Sequence, residues 1–194
     1  ELNEQFSDLT THEARIKRSF ARLKNQFDTL KTPTEIVFAN SNFNYNATCY
    51  NESILVGLER YIGANHPLVV ETLNPTDFPE WIRNGMEENF MDRDILSSWI
   101  STKLFKETQG YHIEEMIRWG KIHLITEMCL RLDNEDIPTS QVLRWSKDQY
   151  DWANSNEMKF WKYLMDENLL FDSNEKNRAY LLNNGPYTIG LPEE

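Results

Sequence analysis

Apolar residues recur at helical spacing near the start of the chain. Five of them share one face of a predicted helix over residues 11–31, at spacings of 4, 3, 4 and 3: Ile16, Phe20, Leu23, Phe27 and Leu30. Thr10 and Glu13, three residues apart at its beginning, predict a capping box. The pattern therefore predicts an amphipathic helix at the start of the chain.

Two short apolar segments follow and predict strands. Residues 35–39 are rich in β-branched and aromatic side chains, and residues 53–59 could pair with them as a hairpin. Between them, over residues 40–51, asparagines alternate with Phe43 and Tyr45, which is typical of either a polar-faced strand or an ordered loop. We expect a small sheet of residues 34–39 and 52–58.

From residue 76 onward the pattern is helical. The predicted helices cover about 77–89, 92–107, 111–132, a short segment from Pro138, 146–170 and 174–183. One apolar face of the helix over 111–132 is expected to be buried: Ile113, Ile117, Leu124, Met128 and Leu132. The sheet is expected to pack against helices 11–31 and 111–132. This order predicts a single domain over residues 1–194, with a mostly helical α+β fold in which helices pack a small sheet.

Composition narrows the class of protein. The 194 residues carry a net charge of −11, which repels phosphate backbones, so no nucleic-acid partner is expected. The longest apolar runs, such as residues 54–56, are far shorter than the roughly 20 residues that span a bilayer. The chain opens on Glu1 without a basic and apolar leader, so both of its ends are expected to be cuts in a longer chain. Cys49 and Cys129 could pair, although the helical pattern around Cys129 favours a buried free thiol.

Motifs for catalysis and metal binding are incomplete. His12 and Glu13 begin a zinc-protease motif, but Ile16 stands where the second imidazole is needed. His112 and His123 are eleven residues apart, about 16 Å along one helix, so they cannot share a metal and are expected to be exposed or capping. Gly-x-Ser-x-Gly, Cys-x-x-Cys and phosphate-binding glycine loops are missing. No catalytic residue, metal ligand or cofactor is predicted.

Aromatic residues concentrate between positions 145 and 163. They are Trp145, Tyr150, Trp152, Phe160, Trp161 and Tyr163. Packing in the core around one helix is the favoured interpretation, and an exposed patch for a protein partner is the alternative.

Six blocks of sequence stand in a characteristic order over residues 33–192. Phe43-Asn-Tyr45 with residues 54–59 and Tyr61-Ile-Gly63 resembles “FNY…LxIGLDxYLG”, Phe78-Pro-Glu-Trp81 with Arg83 resembles “FPEYLxR”, and Met116-Ile-Arg-Trp-Gly-Lys121 resembles “MIYEGK”. Gln149-Tyr-Asp-Trp152 with Asn156, Glu157 and Trp161 resembles “QxxWxxxNExxxW”, Leu169-Leu-Phe-Asp172 resembles “LLYSxD”, and Pro186-Tyr-Thr188 with Gly190 resembles “PFTxGF”. Together they resemble the gliding-motility lipoprotein family GldB.

The resemblance implies a cellular role. Members of that family are lipid-anchored in the bacterial envelope, facing the periplasm or the outer surface, and support gliding and its associated protein-secretion machinery. By resemblance, the partners are envelope or secretion-machinery proteins, and the membrane anchor is an N-terminal lipid outside this chain.

The family is also similar to predicted zinc proteases that carry an HExxH helix and a later Glu-Gly pair. On that similarity, residues 93–97 stand at the first motif and Trp119-Gly120 at the second, so neither imidazole is present and Trp119 replaces the last candidate ligand. The resemblance therefore implies a zincin-like scaffold without a metal site. We expect a non-enzymatic, partner-binding protein. The alternatives are a hydrolase completed by a segment outside this chain, and a domain that binds a small ligand or peptide in the former cleft.

Seven residues are expected to have structural or partner-binding roles: Trp119, Gly120, Lys121, Trp152, Asn156, Glu157 and Trp161. Glu157 and Trp161 share a helix face, so we expect Glu157 to be a buried anchor that binds backbone N–H groups or a cation such as Lys121.

Overall fold

A computed structural model describes residues 2–107, 110–131 and 139–174. In that part of the chain the helices are α1 (Leu2–Gln5), α2 (Thr10–Gln26), α3 (Pro67–Thr72), α4 (Glu80–Arg83), α5 (Met91–Lys103), α6 (His112–Leu130), α7 (Thr139–Leu143) and α8 (Lys147–Asp166). The strands are β1 (Glu35–Ala39), β2 (Ala47–Tyr50) and β3 (Ser53–Gly57), and 3-10 turns cover Leu58–Tyr61 and Glu88–Phe90. This confirms a mostly helical α+β fold with a small sheet.

The sheet has the strand order β1-β3-β2, with β3 in the middle. β3 pairs antiparallel with β2 through a turn at Asn51, which has a φ of 53°. β1 pairs with β3 in parallel, with Ile36 opposite Ile54. The predicted hairpin between the first and second apolar segments is therefore wrong: the segment between them supplies the antiparallel partner, and a parallel pair needs such a crossover.

The chain divides into two compact units, Glu1–Lys106 with Ile122–Arg144 and Glu107–Lys121 with Trp145–Glu194. In the first unit, α5 contacts β2 and β3 and also packs against α2. Trp99 of α5 is fully buried, lies edge-on to Phe20 at 6.3 Å and donates from Nε1 to the carbonyl of Lys31 at 3.0 Å. The expectation that α2 and α6 cover the sheet is thus wrong for the main contact, because α5 is apolar on several sides and takes the central place.

The start of α2 also differs from its prediction. Leu9 is the residue before the helix, and its side chain caps nothing. The backbone N–H of Thr10 donates instead to Asp8 Oδ1 at 2.9 Å. Asp8 thus replaces the predicted Thr10–Glu13 capping box, because its short carboxylate reaches the backbone two residues on.

In the second unit, α8 begins with a complete capping box between Ser146 and Gln149. The backbone N–H of His112 donates to Asp172 O at 3.0 Å, and that of Ile113 donates to Leu170 O at 3.0 Å. These bonds satisfy donors at the beginning of α6. The predicted helix over 174–183 falls, beyond residue 174, outside the described residues.

The buried face of α6 is not the predicted apolar stripe. Ile117, Leu124 and Met128 are each about half exposed or more, whereas the buried residues of this helix include His112, Glu115, Ile122, Thr126 and Cys129. The predicted burial of the apolar stripe is wrong, because a different side of the helix is buried, with polar residues such as Glu115 and Thr126 beside apolar ones such as Ile122. Cys129 is a buried free thiol, as predicted, and Cys49 is also free. None of the described helices is long and apolar enough to cross a bilayer.

Candidate functional site

A buried carboxylate shapes the loop between β1 and β2. Glu59, 1% exposed, accepts hydrogen bonds at Oε1 from the backbone N–H of Ser41 at 2.8 Å and of Phe43 at 2.7 Å, and also from Ser41 Oγ. Asn42 and Phe43 have φ values of 53° and 61°, in the left-handed region that costs non-glycine residues free energy. The carboxylate of Glu59 therefore holds a strained loop in place.

Gly57, at the end of β3, lies directly against the same loop. A Cβ atom at this position would lie 2.4 Å from both Ser41 Oγ and the carbonyl oxygen of Tyr45. The close backbone approach explains why glycine stands between the strand and Glu59.

Asp94 of α5 is the centre of a buried polar cluster. Its Oδ1 accepts from Arg93 Nη1 at 2.9 Å, and its Oδ2 accepts from Tyr61 Oη at 2.8 Å and Asn46 Nδ2 at 3.1 Å. Arg144 Nη2 donates to the same Oδ2. The carboxylate is thus satisfied by four donors from four segments of the chain.

Burial and charge oppose each other at this cluster. Burial by itself would raise the pKa of Asp94, but the charges of Arg144 and Arg93 hold that pKa below its ordinary value. Tyr61 has the opposite behaviour: burial, followed by the charge of Asp94, raises its pKa well above the ordinary value, so the phenol remains a donor. Asp94 is consequently a charged group locked into the fold.

Two further aromatic rings hold the guanidinium groups that flank Asp94. Arg60 lies 5.4 Å over the Phe78 ring, donates from Nε to Asn46 Oδ1 at 2.8 Å and contacts the Phe43 carbonyl at 3.4 Å. Arg144 lies 5.0 Å over the Phe90 ring. Such cation–π contacts fix the planes of both guanidinium groups.

A second cluster joins α2 to the beginning of α5. His12 places Nδ1 2.7 Å from Asp92 Oδ1 and Nε2 3.0 Å from Glu88 Oε1, and Arg15 donates to Asp92 Oδ2 at 2.7 Å. The hydrogen bond to Asp92 is the main cause that raises the pKa of His12; burial opposes it and Glu88 adds to it. The imidazole is 8% exposed and bridges two carboxylates.

The residues that the resemblance aligns with a zinc-protease motif do not fit a zinc ion. In that alignment Arg93 and Ser97 hold the positions of the two imidazoles, and Arg93 Nε donates to the Val142 carbonyl at 2.7 Å. His123 lies nearby, with Nδ1 3.3 Å from Arg93 Nη2; burial and then the charge of Arg93 lower its pKa to about 4. A guanidinium cation at this position repels a second cation. Among the described residues, no group of three or more His, Cys, Asp or Glu side chains is arranged for a metal.

The expectation for His112 is wrong in part. Its side chain is fully buried rather than exposed, with Nδ1 2.7 Å from the Leu169 carbonyl oxygen, and its Nε2 has no hydrogen-bond partner. Because the start of α6 packs against the segment around Leu169, a polar ring at this position becomes buried.

The seven residues predicted for structure or partner binding all belong to the second unit. In α6, Trp119 is half-buried with the Arg118 guanidinium 5.1 Å from its ring, and Gly120 and Lys121 are exposed. In α8, Trp152 is 48% exposed, and Asn156 is half-buried and donates to the Trp152 carbonyl at 2.8 Å.

Glu157 is not the buried anchor that was predicted. It is exposed, and the hydrogen bond that it accepts comes from Trp161 Nε1 at 3.3 Å, on the same helix, rather than from Lys121 or the backbone. Trp161 is only half-buried, so the face that it shares with Glu157 still contacts water. Trp145 and Trp152 are also too exposed for the favoured core-packing interpretation of the aromatic cluster.

The sequence did not predict the cluster around Asp94. Asn46, Tyr61, Asp94 and Arg144 are far apart along the chain, so no spacing connects them. One feature of the sequence did indicate buried charges here. Glu59 and Arg60 are adjacent charges that follow an apolar strand, and a charged side chain that becomes buried there needs a partner.

Comparison with known proteins gives one result. The family model for gliding motility protein GldB matches residues 1–194. Searches of curated proteins and of solved structures returned no match.

Proposed function

This chain belongs to the family of gliding motility protein GldB, and from that premise we propose that it works without catalysis, by binding other proteins of the cell envelope. Membership makes it a gliding-motility-related lipoprotein of the envelope. The proposed partners are envelope proteins or components of the associated secretion machinery. The proposed attachment is an N-terminal lipid outside this chain, with the protein facing the periplasm or the outer surface.

The observation that carries the non-enzymatic proposal is the state of Asp94. This carboxylate stands at the place of the glutamate in a zinc-protease motif, but four donors already bind its two oxygens. A general base needs a free lone pair that reaches a water or a substrate. With Arg93 beside it in place of an imidazole, the chemistry supports a zincin-like scaffold whose catalytic position has become a structural ion cluster.

Exposed aromatic side chains in the second unit support partner binding. Trp145 and Trp152 are 42% and 48% exposed, and large aromatic side chains are enriched at the centres of protein interfaces. Trp152 follows the α8 capping box by three residues, so a rigid helix presents it. These features favour Trp152 as an anchor for a protein partner.

The test combines cell motility with a defined interaction assay. A strain that lacks the gene would be complemented with wild-type protein, with Trp152→Ala, and with Met158→Ala as a matched control on the same helix, since Met158 is 80% exposed. We expect Trp152→Ala to reduce colony spreading and crosslinking to the secretion machinery, with an unchanged circular dichroism spectrum. Full motility and crosslinking in Trp152→Ala would contradict this anchor.

One observation favours the alternative of a hydrolase. Nδ1 of His12 is bound by a buried carboxylate, the arrangement that orients a histidine base in Ser-His-Asp enzymes. However, Nε2 of His12 faces Glu88, a second acceptor, rather than a serine or cysteine nucleophile. Turnover of model esters or peptides by purified protein, abolished in His12→Gln, would establish the hydrolase and overturn the non-enzymatic proposal.

A further inference from the structure

The cluster around Asp94 contains more positive than negative charge. Three guanidinium groups, of Arg60, Arg93 and Arg144, are linked through Asp94 and Asn46. The carboxylates are those of Asp94 and Glu59, and the hydrogen bonds of Glu59 go to the loop at Ser41 and Phe43. Within the described residues, three guanidinium groups therefore stand against two carboxylates and Arg60 forms no ion pair, in a chain whose net charge is −11.

The two outer arginines keep unused donors. Arg60 uses Nε and Nη1, and Arg144 uses Nη2. In the part of the chain that the structure describes, Nη2 of Arg60 and Nη1 of Arg144 have no acceptor, and Arg144 Nε is buried without a partner. The buried Nε of Arg144 is therefore a donor that the protein leaves unsatisfied, and the two outer nitrogens are free to bind an acceptor from solution.

Both side chains are also held in place and remain accessible. The side chain of Arg144 is 21% exposed, and Arg60 is half-buried. Phe78 and Phe90 fix the planes of the two groups. Arg144 itself has a φ of 60°, a strained backbone conformation for arginine. Gly85 lies against Arg144, and a Cβ atom there would crowd Nη1 at 3.0 Å.

We infer that Arg60 and Arg144 form a binding site for one oxyanion, the carboxylate or phosphate group of a small ligand. Each guanidinium offers its remaining terminal nitrogen, Nη2 of Arg60 and Nη1 of Arg144, and two such charge-assisted donors can bind the oxygens of one anion. Like-charge repulsion agrees with this view: burial, and then the charge of Arg144, lowers the pKa of Arg60. A bound anion would relieve that repulsion.

The inference does not depend on the proposed role in partner binding. Failure of the oxyanion site would leave the Trp152 experiment unaffected, and loss of motility in Trp152→Ala would say nothing about Arg60. The two sites lie in different units of the chain.

The test is a titration of the whole chain with inorganic phosphate, and separately with acetate, against sodium chloride at equal ionic strength. Calorimetric titration would compare wild type with Arg60→Gln, Arg60→Lys and Arg18→Gln. Arg18 is an exposed arginine of α2, so its variant removes the same charge from an unrelated place. We expect Arg60→Gln to weaken binding about tenfold or more, Arg60→Lys to weaken it less, and Arg18→Gln to leave it unchanged.

The phosphate and acetate titrations each have an outcome that supports or contradicts the oxyanion site. Binding of phosphate alone assigns a phosphate ligand, and binding of acetate assigns a carboxylate. Binding of neither anion above the chloride control, or equal losses in Arg18→Gln and Arg60→Gln, would overturn the site. If Arg60→Gln does not fold, side-chain NMR of the wild-type protein replaces it: the Nε–Hε signals of Arg60 and Arg144 should shift with phosphate or acetate, and unmoved signals would refute the inference.

Discussion

The negative charge of Asp94 is expected to make a large contribution to the stability of the fold. Replacement by asparagine keeps its shape but leaves Arg93 and Arg144, both partly buried, without their counter-charge. We expect Asp94→Asn to lower the free energy of unfolding by about 3–5 kcal/mol, measured by urea denaturation. The matched control is Asp166→Asn, since Asp166 is an exposed partner of Lys162 on α8 and should cost less than about 0.5 kcal/mol. Equal effects of the two variants would show that the Asp94 cluster contributes no net stability.

The raised pKa of His12 leads us to expect that stability depends on pH in a specific way. Its pKa is raised in the folded protein, so its stabilising contribution is complete below the unfolded value of about 6.5 and is lost as the pH rises through the folded pKa. We expect the difference in melting temperature between wild type and His12→Gln to be largest near pH 5.5 and to shrink towards pH 9.

The difference in melting temperature between wild type and His12→Gln is measured, rather than the melting temperature of wild type alone, because His123 changes stability with pH in the opposite direction. Its folded pKa of about 4 means that stability falls as the pH drops from about 6.5 towards 4. That contribution is common to wild type and His12→Gln and cancels. A difference that does not change with pH would show that folding leaves the pKa of His12 unchanged.

At the scale of the elements, replacing two different glycines by alanine is expected to change stability in opposite directions. Gly57→Ala forces a Cβ to 2.4 Å from Ser41 Oγ and a backbone carbonyl, so we expect a loss of about 1–3 kcal/mol in the free energy of unfolding. Gly120→Ala has open space around its Cβ inside α6 and should stabilise the protein by about 0.5–1 kcal/mol. Urea denaturation of both variants measures this, and a gain in stability from Gly57→Ala would show that the Ser41 loop moves aside easily.

Local sequence patterns predicted the positions of helices and strands well. They predicted the contacts between segments that are distant in sequence poorly. The bounds of β1 matched because β-branched and aromatic residues fill it, and Ser146 marked the start of α8 because it caps the helix. The parallel pairing of β1 with β3 was missed because pairing depends on where β2 docks. The inner face of α6 was missed because burial of Glu115 and Thr126 is decided by their neighbours in space.

At the scale of the whole molecule, the absence of zinc chemistry remains a prediction. We expect purified protein to contain far less than one zinc ion per chain and to cleave no peptide, because Ile16 stands where a motif begun by His12 and Glu13 would need its second imidazole. Elemental analysis with and without chelator measures the metal content. About one zinc per chain, removed by chelator with loss of fold or of activity, would contradict the prediction.

The strand order also sets a sequence of events in folding. β2 and β3 are joined by a short turn and can associate early, whereas β1 must reach a partner 18 residues away, since Glu35 pairs with Ser53. The segment that has to close for this step is the loop that Glu59 fastens at Ser41 and Phe43. We therefore expect Glu59 to affect how fast β1 docks as well as how firmly it stays. Without its carboxylate, the loop would lose conformational restraint and the closing step should slow, which stopped-flow refolding of Glu59→Gln would measure.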